Sequence, residues 1–328
     1  MIIEVVRVNL FIDRLITKMK EKDSRICVGL DPHIDQIPEY LMLEAGAREA
    51  NNQNKYLEAA AKAVKDFNKV IIENIKPFSA VVKPQLAFYE QLGLPGLKAF
   101  KETVKFARES GLMVIVDGKR NDIGSSARGY YNAYLNKEND SNKPTLGFVK
   151  ADALTINPYL GFEGVEPFLE NEEAGIFGLL RTSNPGAEKI QNLMMASGKR
   201  FYEELALMFE KWGEDYCGEM GYSNLGAVVG ATCPEELAEL RKLMPRTFFL
   251  IPGYGAQGAG ADDVVAGFDS NGYGGIVNSA RSIIFAYRKE LYKDKYKEKE
   301  FGLAAAEAAE KMQIDINQAL EKAGVIYG

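Results

Sequence analysis

Short runs that are almost wholly apolar alternate along this chain with longer stretches in which apolar residues recur every three or four positions. The short runs are Arg25–Leu30, Ser79–Val82, Leu112–Val116, Ala153–Ile156, Gly175–Leu180, Leu225–Val229, Thr247–Ile251 and Gly275–Val277. They lack the polar alternation of a half-exposed strand, so each predicts a strand buried on both faces. Between most of them the period changes to helical. Ala60, Val64, Phe67, Ile71 and Ile75 form one stripe in a helix from about Lys55 to Ile75. Similar stripes predict helices over Pro95–Arg108, Phe201–Trp212 and Pro234–Leu243. Thr232 and Glu235 suit a capping box there, with Pro234 in the first turn. Phe11, Leu15 and Met19 open the chain at helical spacing, and an Ala-rich helix over about Leu303–Lys322 closes it.

Apolar strands that are each followed by a helix imply a parallel sheet covered by helices. Eight such units predict an α/β protein, a (β/α)8 TIM barrel with insertions, with a doubly wound sheet as the alternative. The reading takes residues 1–328 as a single barrel domain. The polar, turn-rich segment of about 136–150 is then an insertion rather than a domain boundary.

The chemistry sits where the apolar runs stop. Asp31 follows the first and Lys83 the second, while the third runs into Asp117, Gly118, Lys119, Arg120, Asn121 and Asp122. Asn157 follows the fourth, Arg181–Gly186 the fifth, Pro252–Gly258 the seventh, and Asn278 to Arg281 the eighth. Catalytic residues of such barrels lie at the C-terminal ends of different strands. Taken singly, each has a dull explanation: Asp31 could cap a helix, Lys83 could extend to solvent, Asn157 could serve a turn, and His33 reads as a loop residue. Their recurrence at one end of the sheet is what points to a site. In a strand, Asp117 and Lys119 face the same way, and Asp122 lies past the strand end. Two carboxylates and an ammonium would then share a small volume, at a desolvation cost that chemistry would justify.

Composition narrows the function. The chain has 328 residues, is 46% hydrophobic and 26% charged, and carries a net charge of -6. That balance argues against a nucleic-acid partner. Three widely spaced cysteines and one histidine disfavour a Cys/His metal site and fit reduced thiols, with Cys27 in the core. The amino-terminal stretch is interrupted by Glu4, Arg7 and Asp13, so it is neither a secretory leader nor a membrane span. A cytoplasmic protein with no membrane partner is expected.

Gly253, Gly255 and Gly258 match G-x-G-x-x-G. A dinucleotide site would place that motif early, with an acid about 20 residues on. Here it comes late, and the next strand ends in Asn278. A phosphate cradle fits better, because barrels often bind phosphate with the loops after strands seven and eight. Backbone N–H groups around Gly255–Gly258 would donate, and Arg281 would supply charge. No Walker motif is present, which disfavours an NTPase.

Together, D-x-K-x-x-D at Asp117, Lys119 and Asp122, VGLDP at Val28–Pro32, Lys83, SNPGA at Ser183–Ala187 and the Gln257/Arg281 pair resemble the orotidine 5'-phosphate decarboxylase family, in its longer bacterial subgroup. The likeness spans nearly the whole chain. It implies a lyase of pyrimidine biosynthesis that makes UMP and CO2 without metal or organic cofactor. By resemblance, Lys119 would protonate C6, Asp117 would sit beside the substrate carboxylate, and Asp31 and Lys83 would hold ribose hydroxyls. Asp122, Ile123 and Ser126 would reach into the site of a second subunit, so a homodimer with shared sites is implied. Ser183 would bond the pyrimidine, Gln257 and Arg281 the phosphate, and residues 184–200 would form a mobile lid. A magnesium-dependent sugar-phosphate decarboxylase of the wider superfamily would want an acid where Lys83 stands. A silent phosphate-binding barrel would be expected to have lost Lys119 or an aspartate.

Overall fold

The computed structural model describes residues 10–136, 146–231, 233–255 and 258–325. Eight strands are present: β1 Ile26–Leu30, β2 Val81–Pro84, β3 Met113–Arg120, β4 Ala153–Ile156, β5 Gly175–Arg181, β6 Ser223–Val229, β7 Thr247–Pro252 and β8 Gly275–Ser279. They are parallel, follow chain order and close into a barrel, with β1 pairing to both β2 and β8. The (β/α)8 barrel read from the periodicity is therefore the fold, and the doubly wound alternative is not.

Helices run over Gln53–Ile75, Gly93–Glu109, Phe201–Trp212, Pro234–Leu243 and Phe301–Lys322, close to the expected spans. The helix at Pro234 does begin on that proline, but its N-cap position is Cys233, and Thr232 lies outside the described residues. A helix at Gly124–Tyr134 was not legible in the sequence. Its glycines and serines are poor helix formers, and it is held by burying Ala127, Tyr131 and Tyr134. Of the polar insertion, 137–145 fall outside the described residues. Phe148 and Val149 beyond them donate backbone hydrogen bonds to the Ala133 carbonyl, at 2.9 and 3.0 Å.

Five strands run past the apolar stretches that predict them. Their extra residues include Lys83 on β2, Asp117–Arg120 on β3, Arg181 on β5 and Asn278–Ser279 on β8. Backbone pairing does not depend on side-chain polarity, and these side chains lie at the barrel mouth. Polarity thus marks where the core ends, and the strands continue beyond it.

Alternation along the strands sorts side chains into two sets. Outward residues such as Val28, Val82, Val114 and Leu154 join the surrounding helices in one large core. Inward residues, among them Cys27, Val81, Ile115, Phe177, Leu250 and Ile276, form a second cluster with Phe11, Ile12, Leu15, Ile16 and Met19. Those last five belong to the helix Phe11–Lys22, which closes the N-terminal end of the barrel. Phe11 packs edge-on to Phe177, centroids 6.1 Å apart. Gly175 makes this possible: a Cβ there would lie 2.0 Å from the Phe11 ring. Asp13 on the same helix accepts the backbone N–H groups of Glu219 and Met220, at 3.0 and 2.9 Å.

Cys27 is buried, and burial pushes its thiol pKa up to about 12, as suits an inert core residue. His33 is a loop residue tilted against Phe88, centroids 4.3 Å apart and ring planes at 54°.

Leu15 is fully buried in the plug, so Leu15→Ala is expected to cost about 3 kcal/mol through lost burial and a residual cavity. Equilibrium denaturation of the two proteins measures this. A loss below about 1 kcal/mol would show that the helix is not integral to the core.

Candidate functional site

The inward positions at the C-terminal mouth form a layer around the barrel. Following the alternation of each strand, they are Gly29 and then Asp31 beyond β1, Lys83, Asp117, Thr155, Leu179, Val228, Pro252 and Asn278. Five of these nine positions are polar, and Gly29, Leu179, Val228 and Pro252 are not. A cavity of about 430 Å³ opens on it, lined by Lys83, Asp117, Lys119, Thr155, Ser183 and Asn184, with Leu179, Val228 and Leu250 opposite.

Asp117 is the centre of the polar half. Its Oδ2 accepts from the buried Lys83 Nζ at 2.5 Å. Its Oδ1 accepts from Lys119 Nζ at 2.7 Å and from the Thr155 hydroxyl at 2.9 Å. Burial alone would raise the Asp117 pKa, but the two ammonium groups override it and hold the carboxyl well below the usual range. Burial alone would lower Lys83, but Asp117 and Asp31 outweigh it and hold the ammonium above its ordinary value. Both groups are therefore ionised at neutral pH. Lys119 differs in kind: its side chain is nearly half exposed and reaches into the cavity.

Local backbone geometry makes the array. The register between β3 and β4 shifts between Val116 and Arg120, and Lys119 has φ +44°, in the left-handed region that non-glycine residues seldom occupy. Its N–H donates to Thr155 Oγ1 at 3.0 Å, and the same hydroxyl donates to Asp117. Thr155 thus ties the strained residue to its charge partner. The i, i+2 spacing anticipates that Asp117 and Lys119 meet, although the irregular strand brings them together by another route than simple alternation. Thr155 was missed. The available signal was a lone hydroxyl at the third position of the short apolar run ALTI, which places it inward.

Asp31 lies past β1, and its Oδ1 is buried without a partner among the described residues. Burial raises its pKa, against the pull of Lys83. The second carboxylate near the ammonium groups is thus Asp31, and in a single chain Asp122 does not fill that place. Asp122 Oδ1 instead accepts the Ile123 N–H at 2.9 Å, and it forms no ion pair among the described residues. Ile123 and Ser126 beside it are exposed. Asn157 serves its turn, Oδ1 accepting from Tyr159 N–H at 3.1 Å.

Ser183 borders the same cavity as Lys119, where Gly230 allows the chain to approach: a Cβ on Gly230 would lie 2.9 Å from that of Ser183. The loop beyond is tied to the strand end. Arg181 is buried and paired with Glu236, Nε to Oε2 at 2.7 Å. Gln191 Oε1 accepts the Thr182 N–H, and Gln191 Nε2 donates to Thr182 Oγ1, both at 2.9 Å. The Thr182 hydroxyl donates onward to Asn184 Oδ1 at 2.6 Å.

The phosphate cradle is changed by the structure. Gly255 N–H donates to the Ala259 carbonyl at 2.9 Å and Gly258 N–H to the Gly255 carbonyl at 3.3 Å, so the turn consumes both. Ala256 and Gln257 lie outside the described residues. Arg281 is exposed and lines a separate recess of about 310 Å³ with Gln36, Ser282, Phe285, Arg288 and Lys289. The structure therefore brings Lys83, Asp117, Lys119, Thr155 and Ser183 around one cavity and leaves Asp31, Asp122, Ile123, Ser126 and Arg281 outside its lining.

A parallel barrel whose mouth holds a lysine–aspartate–lysine bridge over a small cavity defines an enzyme of the (β/α)8 class acting on a small polar metabolite. The chain belongs to the orotidine 5'-phosphate decarboxylase / HUMPS family, whose sequence profile matches residues 24–292. It is 43% identical over 288 residues to an orotidine 5'-phosphate decarboxylase of Rhodopirellula baltica, covering 87% of this chain and 88% of that one. To the Clostridium perfringens protein of the same name it is 41% identical over 279 residues, covering 84% and 89%. The solved OMP decarboxylase of Leishmania donovani superposes with a TM-score of 0.70 at 27% identity, covering 95% of this chain and 99% of that one.

A raised folded-state pKa means that ionising Asp31 opposes folding. The penalty is fully present above the folded-state value and absent below the unfolded value of about 3.9. Asp31→Asn is therefore expected to stabilise the protein at pH 7, and the gain should vanish towards pH 4. Denaturant titrations at the two pH values test this, and a less stable Asp31→Asn protein at pH 7 would contradict it.

Proposed function

We propose that this chain decarboxylates orotidine 5'-phosphate to UMP and CO2, a step of pyrimidine biosynthesis. The observation that carries the reading is the half-exposed Lys119 ammonium held in the cavity by Asp117, whose other oxygen is neutralised by buried Lys83. In the reaction the bond from C6 to the carboxylate breaks, CO2 departs, and the electron pair stays on C6. That carbanion has little resonance delocalisation, so catalysis requires a site that favours it over the starting carboxylate. Lys119 is the cation that stabilises the developing charge and then donates its proton to C6. Asp117 holds it aimed, and Lys83 in turn fixes Asp117, so little reorganisation is needed. Asp117 also lies where it would face the departing carboxylate.

In the same reading Asp31 and Lys83 take ribose hydroxyls, Ser183 bonds the pyrimidine, and Gln257 and Arg281 hold the phosphate. The loop 184–200 acts as a lid whose closure brings the Arg281 recess and the Lys119 cavity onto one substrate. Asp122, Ile123 and Ser126 serve the site of a second copy of the chain in a homodimer. The exposure of Ile123, an apolar side chain directly beside Asp122, supports that placement. No step requires a metal or organic cofactor. Among the described residues no helix is long and apolar enough to cross a membrane, and a cytoplasmic location suits the reading.

Loss of orotidine 5'-phosphate absorbance in excess EDTA is the direct test. Turnover should be insensitive to EDTA and fall by several orders of magnitude in Lys119→Ala. Turnover only with added magnesium would move the chain to the sugar-phosphate branch. Thr155→Val should lower kcat at least about tenfold with KM little changed, while Thr155→Ser should stay near wild type. Mixing Lys119→Ala with Asp122→Ala subunits should restore part of the activity, and no recovery after verified subunit exchange would refute shared sites.

A further inference from the structure

We propose that Asn278 is a substrate-binding residue of this site, and that its carboxamide takes a hydrogen bond from a ribose hydroxyl. The inference rests on the reading of the substrate as a ribose 5-phosphate ester.

Asn278 lies on β8 in register with Cys27 of β1 and Pro252 of β7. Two residues before it, Ile276 belongs to the barrel interior, so strand alternation turns Asn278 inward at the mouth. Gly29 lies alongside it: a Cβ there would sit 3.4 Å from Asn278 Oδ1, in ordinary contact, and would clash with the Ala280 Cβ at 2.5 Å. Gly29 is itself paired to Lys83. Asn278 therefore continues the polar arc that runs through Asp31, Lys83, Asp117 and Thr155, on the side away from Lys119.

Its carboxamide oxygen is unspent among the described residues. Asn278 is 8% exposed, and its Oδ1 is buried with no partner among the described residues. Buried polar atoms are nearly always paired, because an unmade bond forfeits the hydration it had in the unfolded chain. Asp31 Oδ1, past the end of the neighbouring β1, is likewise without a partner among the described residues. Two unpaired acceptors next to the Lys83 ammonium suit a vicinal diol, which brings two O–H donors and accepts from an ammonium. Asn278 also stands three residues before Arg281, between the charged array and the residue read as the phosphate ligand. A ribose has that intermediate place in a nucleotide.

The experiment compares wild type, Asn278→Ala and Asn278→Ser with orotidine 5'-phosphate and its 2'-deoxy and 3'-deoxy analogues. Asn278→Ala should lower kcat/KM about tenfold or more, mainly through KM, with Asn278→Ser intermediate. Removing one of the two hydroxyls should cost wild type far more than it costs Asn278→Ala. Unchanged kcat/KM in Asn278→Ala, or equal penalties for both analogues in both proteins, would overturn the proposal. Thermal unfolding with ribose 5-phosphate reads the same contact without turnover: the upward shift in wild type should shrink in Asn278→Ala. If wild type fails to consume orotidine 5'-phosphate, the proposed reaction falls. The ribose 5-phosphate shift then still decides Asn278, and equal shifts in both proteins would reject it.

Discussion

The bridge from Lys83 through Asp117 to Lys119 is the constraint around which the site is built. A carboxylate buried at this depth is tolerable only because two ammonium groups and a hydroxyl satisfy it. Each partner comes from a place the fold must hold still: Lys83 from β2, Lys119 from the irregular end of β3, Thr155 from β4. A change to one of them leaves the others incompletely paired in a low-dielectric layer. That interdependence keeps the ammonium of Lys119 pointed before any ligand arrives. In such an arrangement stabilisation comes from dipoles and charges already in position, with little reorganisation during the reaction.

The barrel separates stability from chemistry along its axis. Its lower interior is filled by Phe177, Leu250, Ile276 and their neighbours and closed by the helix Phe11–Lys22, all apolar and buried. The upper layer carries the strained Lys119 and the unpaired oxygens of Asp31 and Asn278, each of which opposes folding. A fold whose core is complete without that layer can tolerate such groups there. Sites that break local rules while the rest of the chain obeys them are where function is expected.

The loop after β5 is linked to the same layer by a directed set of hydrogen bonds. Gln191 donates to the Thr182 hydroxyl, which donates to Asn184, so the amide of Asn184 is oriented and Ser183 is held between them. Arg181 and Glu236 anchor the base of that loop as a buried ion pair. A loop fixed at its root, whose backbone-bonded turn carries Leu193 and Met194 largely in solvent, is suited to covering a ligand.

Much of this was legible in the chain itself. Almost wholly apolar runs of three to six residues separated by helical periods determine a parallel sheet covered on both faces, and their number favours a barrel. The polar residues that end those runs mark the mouth, and the spacing of Asp117, Lys119 and Asp122 marks its chemistry. Tertiary structure decided which of them meet. Lys83 reaches Asp117 across a sequence separation of 34 residues, and Thr155 does so across 38, because neighbouring strands are adjacent in the barrel. Asp122 and Arg281 carry equal weight in the sequence but lie outside that cavity, since a helix start and a separate recess hold them. Asn278, a polar residue at a strand end like several others, acquired meaning only when closure of β8 onto β1 turned it inward with its oxygen unpaired among the described residues. Pattern fixes each residue's face of its own strand, and barrel closure fixes what that face meets.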